Sequence, residues 1–140
     1  MLKFTSLTQQ TAKPYASLTL SYHERIKSRQ KVTLDNGEEA GLFLPRGTVL
    51  KEGDHVRSDC ERIVQVIAAE ETVSVVTAHD TVLLIKAAYH LGNRHVQVQV
   101  DDDALFYLPD PVLDDMLRQL GFTITLQRVK FHPESGAYHH

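Results

Sequence analysis

The segment spanning residues 110–121 most constrains the fold, because its sequence defines both ends of one helix. Asp110 is a residue type that caps helix N-termini, and Pro111 suits the first helical position. Gly121 follows the last periodic residue and is typical of a helix end. Since a helix this short is stable only when its apolar face is buried, we expect a sheet beside it. That face is predicted to comprise Val112, Leu113, Met116, Leu117 and Leu120.

The rest of the second half supplies the other elements of such a layered domain. Asp80 is predicted to cap a helix over residues 81–91, with an apolar face formed by Leu84, Ile85, Ala88 and Leu91. Strands are predicted at residues 72–77, 96–100, 104–108 and 122–129. The order βαββαβ predicts a ferredoxin-like domain over residues 71–140. Its two helices would cover one face of the sheet and leave the other face to a partner.

Residues 1–70 predict a β-rich domain. Short apolar runs at residues 18–22, 31–34, 38–44 and 63–68 are separated by turn signals, among them Asn36-Gly37. This pattern is typical of a compact antiparallel sandwich or barrel-like all-β domain. The fold class predicted for the whole chain is therefore α+β, with the boundary near residues 69–71.

A basic run lies in this first domain. Arg25, Lys27, Arg29 and Lys31 alternate with other residues, which most simply indicates one solvated face of a strand. The alternative is a docking surface for an acidic protein partner. The first domain is accordingly interpreted as a protein- or peptide-binding module.

Charge and composition exclude several classes of protein. The net charge of −3 gives no basic footprint for nucleic acid or for anionic lipid. Residues 1–70 carry a net charge of +1 and residues 71–140 a net charge of −4, and six of the eight histidines lie in the acidic half. A single cysteine, Cys60, excludes an intramolecular disulfide. With no apolar run long enough to span a bilayer, the sequence predicts a soluble cytoplasmic protein.

His95 is the candidate metal ligand. It lies between the predicted helix, which Gly92-Asn93 is expected to close in the left-handed conformation, and the strand predicted at residues 96–100. A rigidly held, accessible imidazole suits a metal or proton site. One imidazole is too few for a stable nickel or zinc site, but a two-fold dimer would place two copies of His95 near one axis.

Residues 88–96 (AYHLGNRHV) resemble the central signature of the UreE family, the metallochaperones that bind nickel for urease assembly. Residues 112–117 (VLDDML), 131–138 (FHPESGAY) and 41–47 (GLFLPRG) are similar to other landmarks of that family, in the same order. The resemblance implies a cytoplasmic homodimer that delivers nickel to the urease active site. It also implies the urease apoprotein and its accessory proteins, including a GTPase, as partners.

The predicted metal ligands are therefore His95 from both subunits, together with His139 and His140 on a tail expected to be mobile. Nickel is the predicted ion, and imidazole ligands also suit zinc and copper. The alternatives for His139 and His140 are a remnant of a cloning tag or a truncated tail. His90 is better explained by packing at the helix end. Family members often carry extra histidines before the second helix, and residues 108–111 here have none.

Three other functions are alternatives to a nickel carrier. A general carrier or sensor of divalent copper or zinc is the nearest alternative to a nickel carrier. An enzyme is not expected, since no spacing supplies three metal ligands with a carboxylate base, or a nucleophile with its base. RNA binding, suggested by the βαββαβ order and by Phe106 and Tyr107, is disfavoured because neighbours in a strand point to opposite faces of an acidic domain.

Overall fold

A computed structural model describes residues 1–10 and 13–135, and its contacts divide the chain into two compact units, Met1–Ala69 and Glu70–His140. Each unit has its own sheet and its own cluster of buried apolar side chains. The first is a β unit, and the second combines helices with a sheet. The predicted α+β fold class is therefore confirmed.

Unit 1 is a six-stranded sheet with a single short helix. The strand order is β2-β6-β5-β1-β4-β3, and the pairings of β1 with β4 and of β2 with β6 are parallel. The expectation of a wholly antiparallel arrangement was therefore wrong. The elements are β1 (Leu2–Thr8), β2 (Ala16–Leu20), α1 (Tyr22–Arg25), β3 (Arg29–Thr33), β4 (Glu39–Phe43), β5 (His55–Ser58) and β6 (Ile63–Ala68).

The sheet of unit 1 curls towards a barrel. The strands β2 and β3 are its two edges, yet Asp35, which follows β3, bonds to β2. The Asp35 amide donates to the carbonyl of Ser17 at 2.9 Å, and its carboxylate accepts from the hydroxyls of Ser17 and Thr19 at 2.6 and 2.8 Å. Because these bonds draw the two edges together, the inner face encloses one core that includes Phe4, Leu18 and Leu42.

The basic run was expected to form one face of a strand. It is instead divided between a helix and a strand. Ser21 and Glu24 form a capping box that starts α1 at Tyr22, so the strand ends at Leu20. Arg25 is buried in this helix, whereas Arg29 and Lys31 lie on the exposed face of β3. The Ser-x-x-Glu spacing is the sequence signal for this break in the alternation.

Unit 2 has the predicted βαββαβ order. Its four strands lie in the order β10-β7-β9-β8 with every neighbouring pair antiparallel, which is the ferredoxin-like arrangement. The helices pack on one face around a core that includes Leu91, Leu105, Tyr107 and Leu117. The elements are β7 (Glu70–Thr77), α2 (Thr81–Asn93), β8 (Gln99–Val100), β9 (Ala104–Tyr107), α3 (Pro111–Gln119) and β10 (Thr123–Lys130).

Both predicted caps are present in unit 2. The Asp80 carboxylate accepts from the amide of Leu83 at 2.9 Å, and the Asp110 carboxylate accepts from the amides of Val112 and Leu113. The buried stripes are narrower than predicted, because Ile85, Val112 and Leu120 are exposed. Helices of this length bury about one residue in three against a single sheet face.

Two further expectations for unit 2 were wrong. The strand predicted at residues 96–100 is confined to Gln99–Val100, because Val96 and Val98 pack against the helix core and the carbonyl of Val98 bonds to the amide of Glu134. The sheet face opposite the helices is not open to a partner, since Val73, Val75 and Phe106 on it are buried.

Candidate metal centre

The backbone at the end of α2 holds His95 in an unusual conformation. The His95 φ angle is 57°, in the left-handed region, and Arg94 is the C-cap residue. The His95 amide donates to the carbonyl of Gly92 at 3.0 Å, and the Val96 amide donates to the carbonyl of Leu91 at 3.2 Å. This pair of bonds is a Schellman motif, with His95 at the position that glycine usually occupies.

The other helix of the unit ends in the same motif. The amide of Gly121 donates to the carbonyl of Arg118, and the amide of Phe122 donates to the carbonyl of Leu117, each at 3.0 Å. Here the left-handed residue is the glycine, with φ at 96°. Two equivalent helix ends in one unit thus differ in carrying glycine at one and histidine at the other.

The predicted closure of α2 at Gly92-Asn93 was wrong. Both residues belong to the helix, and neither has a positive φ angle. The motif closes later because it joins two apolar positions five residues apart, Leu91 and Val96, which lie in the same buried cluster. Leu117 and Phe122 repeat this spacing at the end of α3. The spacing is the sequence signal that could have located the left-handed residue.

The imidazole of His95 is at the surface of unit 2, and its neighbours Asn93 and Arg94 are also exposed. Local hydrogen bonds fix its backbone, and the residue is exposed. His90, in the last turn of α2, has a different environment: it is half-buried, and its ring meets that of Tyr89 edge-on at a centroid distance of 5.6 Å. The packing role at the helix end stays a prediction for His90.

The described residues of one chain do not supply a full ligand set. Within residues 1–10 and 13–135, no group of three or more histidine, cysteine, aspartate or glutamate side chains could hold a metal ion. His139 and His140, the other predicted ligands, lie outside the described residues. Of the predicted ligands, His95 lies within the described residues. A stable metal site therefore needs further ligands besides His95.

An apolar stripe lies along the exposed side of the same helix. Val82, Ile85 and Tyr89 are 61, 63 and 64% exposed, and their spacing of three and four residues places them on one helix face. Gly92 continues that face, with open space where a side chain would project. Large apolar side chains grouped in this way mark an interaction surface more often than scattered ones do.

A buried polar pair that the sequence did not reveal joins α3 to the sheet. Asp114, in the first turn of α3, is buried, and its carboxylate accepts a hydrogen bond from the Tyr107 hydroxyl. Burial, and secondarily this bond to the carboxylate, raises the pKa of Tyr107 well above its usual value. Since Phe106 on the same strand is also buried, neither aromatic residue is available to stack on an RNA base.

Models of one protein family match both units of the chain. Residues 4–69 match the N-terminal domain of the UreE urease accessory protein, and residues 71–140 match its C-terminal domain. The junction between the two matches lies where the structure passes from β6 to β7. No described helix is both long and apolar enough to cross a membrane.

Curated proteins from several bacteria are similar over most of the chain. The urease accessory protein UreE of Vibrio parahaemolyticus is 56% identical over 119 residues, which cover 85% of this chain and 75% of that protein. The protein of the same name from Proteus mirabilis is 49% identical, with 99% and 91% covered. That of Escherichia coli O157:H7 is 48% identical, with 99% and 90% covered.

Proposed function

This chain belongs to the UreE family of urease accessory proteins, and from that membership we propose that it binds nickel and delivers it to the urease active site during urease maturation. The observation that carries the proposal is the exposed imidazole of His95 on left-handed backbone. In this role the metal is a cargo that is bound and passed on. The chain itself then needs no catalytic group.

The conformation of His95 supports a role beyond structure. A residue with a Cβ in the left-handed region is less stable than glycine by roughly 1–2 kcal/mol. Gly121 shows that the same motif in the same unit is built with glycine. A histidine at a strained and exposed position points to a function of the imidazole.

The missing ligands would come from a second copy of the chain. The stripe of Val82, Ile85 and Tyr89 leads along α2 towards His95, with Gly92 permitting close approach of another helix. Two such helices crossing near Gly92 would have their axes about 8–10 Å apart. His95 follows the C-cap residue Arg94 at the end of α2, so a two-fold axis near this helix end would bring both imidazoles towards one ion.

His139 and His140 are proposed to complete the coordination. Two imidazoles from the His95 pair leave positions open on an ion that prefers four or more ligands. Tail residues that can leave would make release to a recipient easier than a closed site would. Zinc and copper also suit imidazole ligands, and intrinsic affinity favours copper over nickel.

The partners proposed are the urease apoprotein and its accessory proteins, including the GTPase, and the place of action is the cytoplasm. Unit 1 is proposed as the protein-docking module and unit 2 as the metal-binding and dimerisation module, with the division near residues 69–71. Two separate cores support a division of roles between the two units.

Isothermal titration of nickel into the wild-type protein, the His95→Ala variant and the His95→Gly variant tests the proposal. We expect one tight nickel ion per dimer in the wild type and none in either variant, with folding retained in all three. Tight binding that survives both substitutions would refute His95 as a ligand. Competing zinc and copper in the same titration separates a nickel carrier from a general carrier of divalent metals, which would show no preference beyond the intrinsic order.

A further inference from the structure

The outer face of unit 1 carries an aromatic ring laid flat across a glycine. Phe43 on β4 is 37% exposed, while Gly41, two residues earlier on the same face, is buried. A Cβ at position 41 would lie 2.6 Å from Cε2 of Phe43. The ring can therefore lie against the backbone only because residue 41 is glycine. The Phe43 ring therefore forms an apolar patch on an otherwise polar face.

Cationic side chains lie around the Phe43 ring. The Nζ atom of Lys3 on β1 is 5.9 Å from the Phe43 ring centroid, and the Cζ atom of Arg29 on β3 is 5.4 Å from it. Arg29 and Arg46 both line a shallow groove of about 600 Å³, together with Phe43 and Leu44. We call Lys3, Arg29, Phe43 and Arg46 the Phe43 surface.

The charges of this surface are not neutralised within the described chain. None of Lys3, Arg29 and Arg46 forms an ion pair with a carboxylate in residues 1–10 and 13–135. Two acidic residues lie near this face: Glu39 lies opposite Thr33 at the far end of β3, and Asp59, whose amide donates to the carbonyl of Lys3 at 3.0 Å, forms no ion pair with Lys3. The surface therefore presents an excess of positive charge around an apolar centre.

We propose that unit 1 uses the Phe43 surface to dock an acidic segment of a partner protein, in which carboxylates flank an apolar side chain. Arginine side chains pair with carboxylates in a fork geometry, and the exposed ring offers an apolar contact between them. The inference rests on the docking role proposed for residues 1–70 and is independent of the metal site.

Charge also disfavours nucleic acid as the occupant. Residues 1–70 have a net charge of only +1, whereas nucleic-acid-binding domains are strongly basic. A partner that needs a few local cations fits this surface better than a polyanion, which would also meet Glu39, Asp59 and the other carboxylates of the unit.

The test measures fluorescence anisotropy of a short labelled peptide, in which glutamates surround one leucine, with the full-length protein at low salt. We expect binding that weakens as salt is added, and a loss of affinity of about tenfold in the Arg29→Glu/Arg46→Glu double variant. The Lys51→Glu variant, with an exposed lysine changed outside the groove, is the control and should bind as the wild type does.

A second variant changes the ring position while leaving every charge in place. Gly41→Ala should push the Phe43 ring away from the strand and weaken binding of the peptide several-fold. The melting temperature should be unchanged, because the added Cβ meets only the ring of this exposed side chain. Equal binding by the wild type and the double variant, or no binding of the peptide, overturns the proposal. Tighter binding of single-stranded oligothymidylate than of the peptide overturns it in favour of nucleic acid. Nickel titration of the same variants separates these failures from failure of the metal proposal, since it should be unchanged.

Discussion

At the residue scale, His95 and Gly121 are equivalent positions with different side chains, and this makes their contributions to stability measurable. We expect His95→Gly to raise the free energy of unfolding by about 1 kcal/mol, because it relieves left-handed strain. His95→Ala, which keeps a Cβ, should give no such gain. Urea unfolding of the three proteins measures the difference.

The matched substitution at the other helix should act in the opposite direction. Gly121→Ala places a Cβ on backbone with a φ angle of 96° and is expected to lower the free energy of unfolding by about 1 kcal/mol. If His95→Gly were neutral while Gly121→Ala destabilised the protein, the histidine would not be strained, and the argument for its function from conformation would fail.

Tyr107 makes a second residue-scale prediction, on pH. Because burial and the Asp114 bond raise the pKa of Tyr107 in the folded state, the unfolded chain loses this proton first as pH rises. The stability that this shift contributes is present below about pH 10 and is lost above it, by up to about 1.4 kcal/mol per pH unit. Denaturant unfolding of the wild type and of Tyr107→Phe across this range measures the effect.

The Tyr107→Phe variant should behave differently at neutral and at alkaline pH. At neutral pH it is expected to be less stable by about 1–3 kcal/mol, because the buried Asp114 carboxylate loses its donor. Above pH 10 its stability should fall less steeply than that of the wild type, although Tyr15 and Tyr22, whose pKa values are also raised, remain. Parallel alkaline curves would show that Tyr107 does not control this pH dependence.

At the element scale, the exposed stripe on α2 predicts how substitutions affect the proposed dimer. We expect Ile85→Glu/Tyr89→Glu to give a folded monomer, because charges would replace exposed apolar side chains. Val112→Glu, at an exposed apolar position on α3, is the matched control and should remain dimeric. Sedimentation velocity measures the oligomeric state, and nickel titration should show that the monomer has lost tight binding. A dimer that persists in the double variant places the interface elsewhere.

The sequence predicts a helix or strand well where a local signal determines its ends. It predicts them poorly where packing against the core determines the ends or the buried face. The capped helices of unit 2 and the strand at Ile63–Ala68 follow from caps and period alone. The end of α2 does not, because the Leu91 and Val96 contacts with the core outweigh the preference of Gly92-Asn93 for left-handed backbone. Exposure of Ile85 and Val112 likewise depends on how each helix is rotated on the sheet, which period alone leaves open.

The position of the candidate metal ligand could be predicted in the same limited way. His95 could be located from its junction between elements, and the family resemblance was confirmed by both domain matches. The exposed stripe on α2 could not be found, since Ile85 is predicted to lie on the buried helix face and the sequence gives Val82 and Tyr89 no distinct role. The burial of Asp114 could not be found either, because it depends on how α3 packs against Tyr107 of β9.

At the scale of the whole molecule, two separate cores predict separable stability. Leu42→Ala in unit 1 and Leu117→Ala in unit 2 each remove a fully buried side chain and should destabilise the unit that carries it by about 2–5 kcal/mol. Hydrogen exchange followed residue by residue should show faster exchange within that unit alone. Equal acceleration in both units would mean that the chain unfolds as one cooperative body.

The two helix ends of unit 2 also have an evolutionary consequence. At position 95 the more stable residue is glycine, so mutation without selection should carry the chain away from histidine and towards the residue found at position 121. If relatives retain histidine there, that retention records selection acting against stability. Among relatives that keep this helix ending, a glycine at the equivalent position would mark a lineage without the proposed metal ligand.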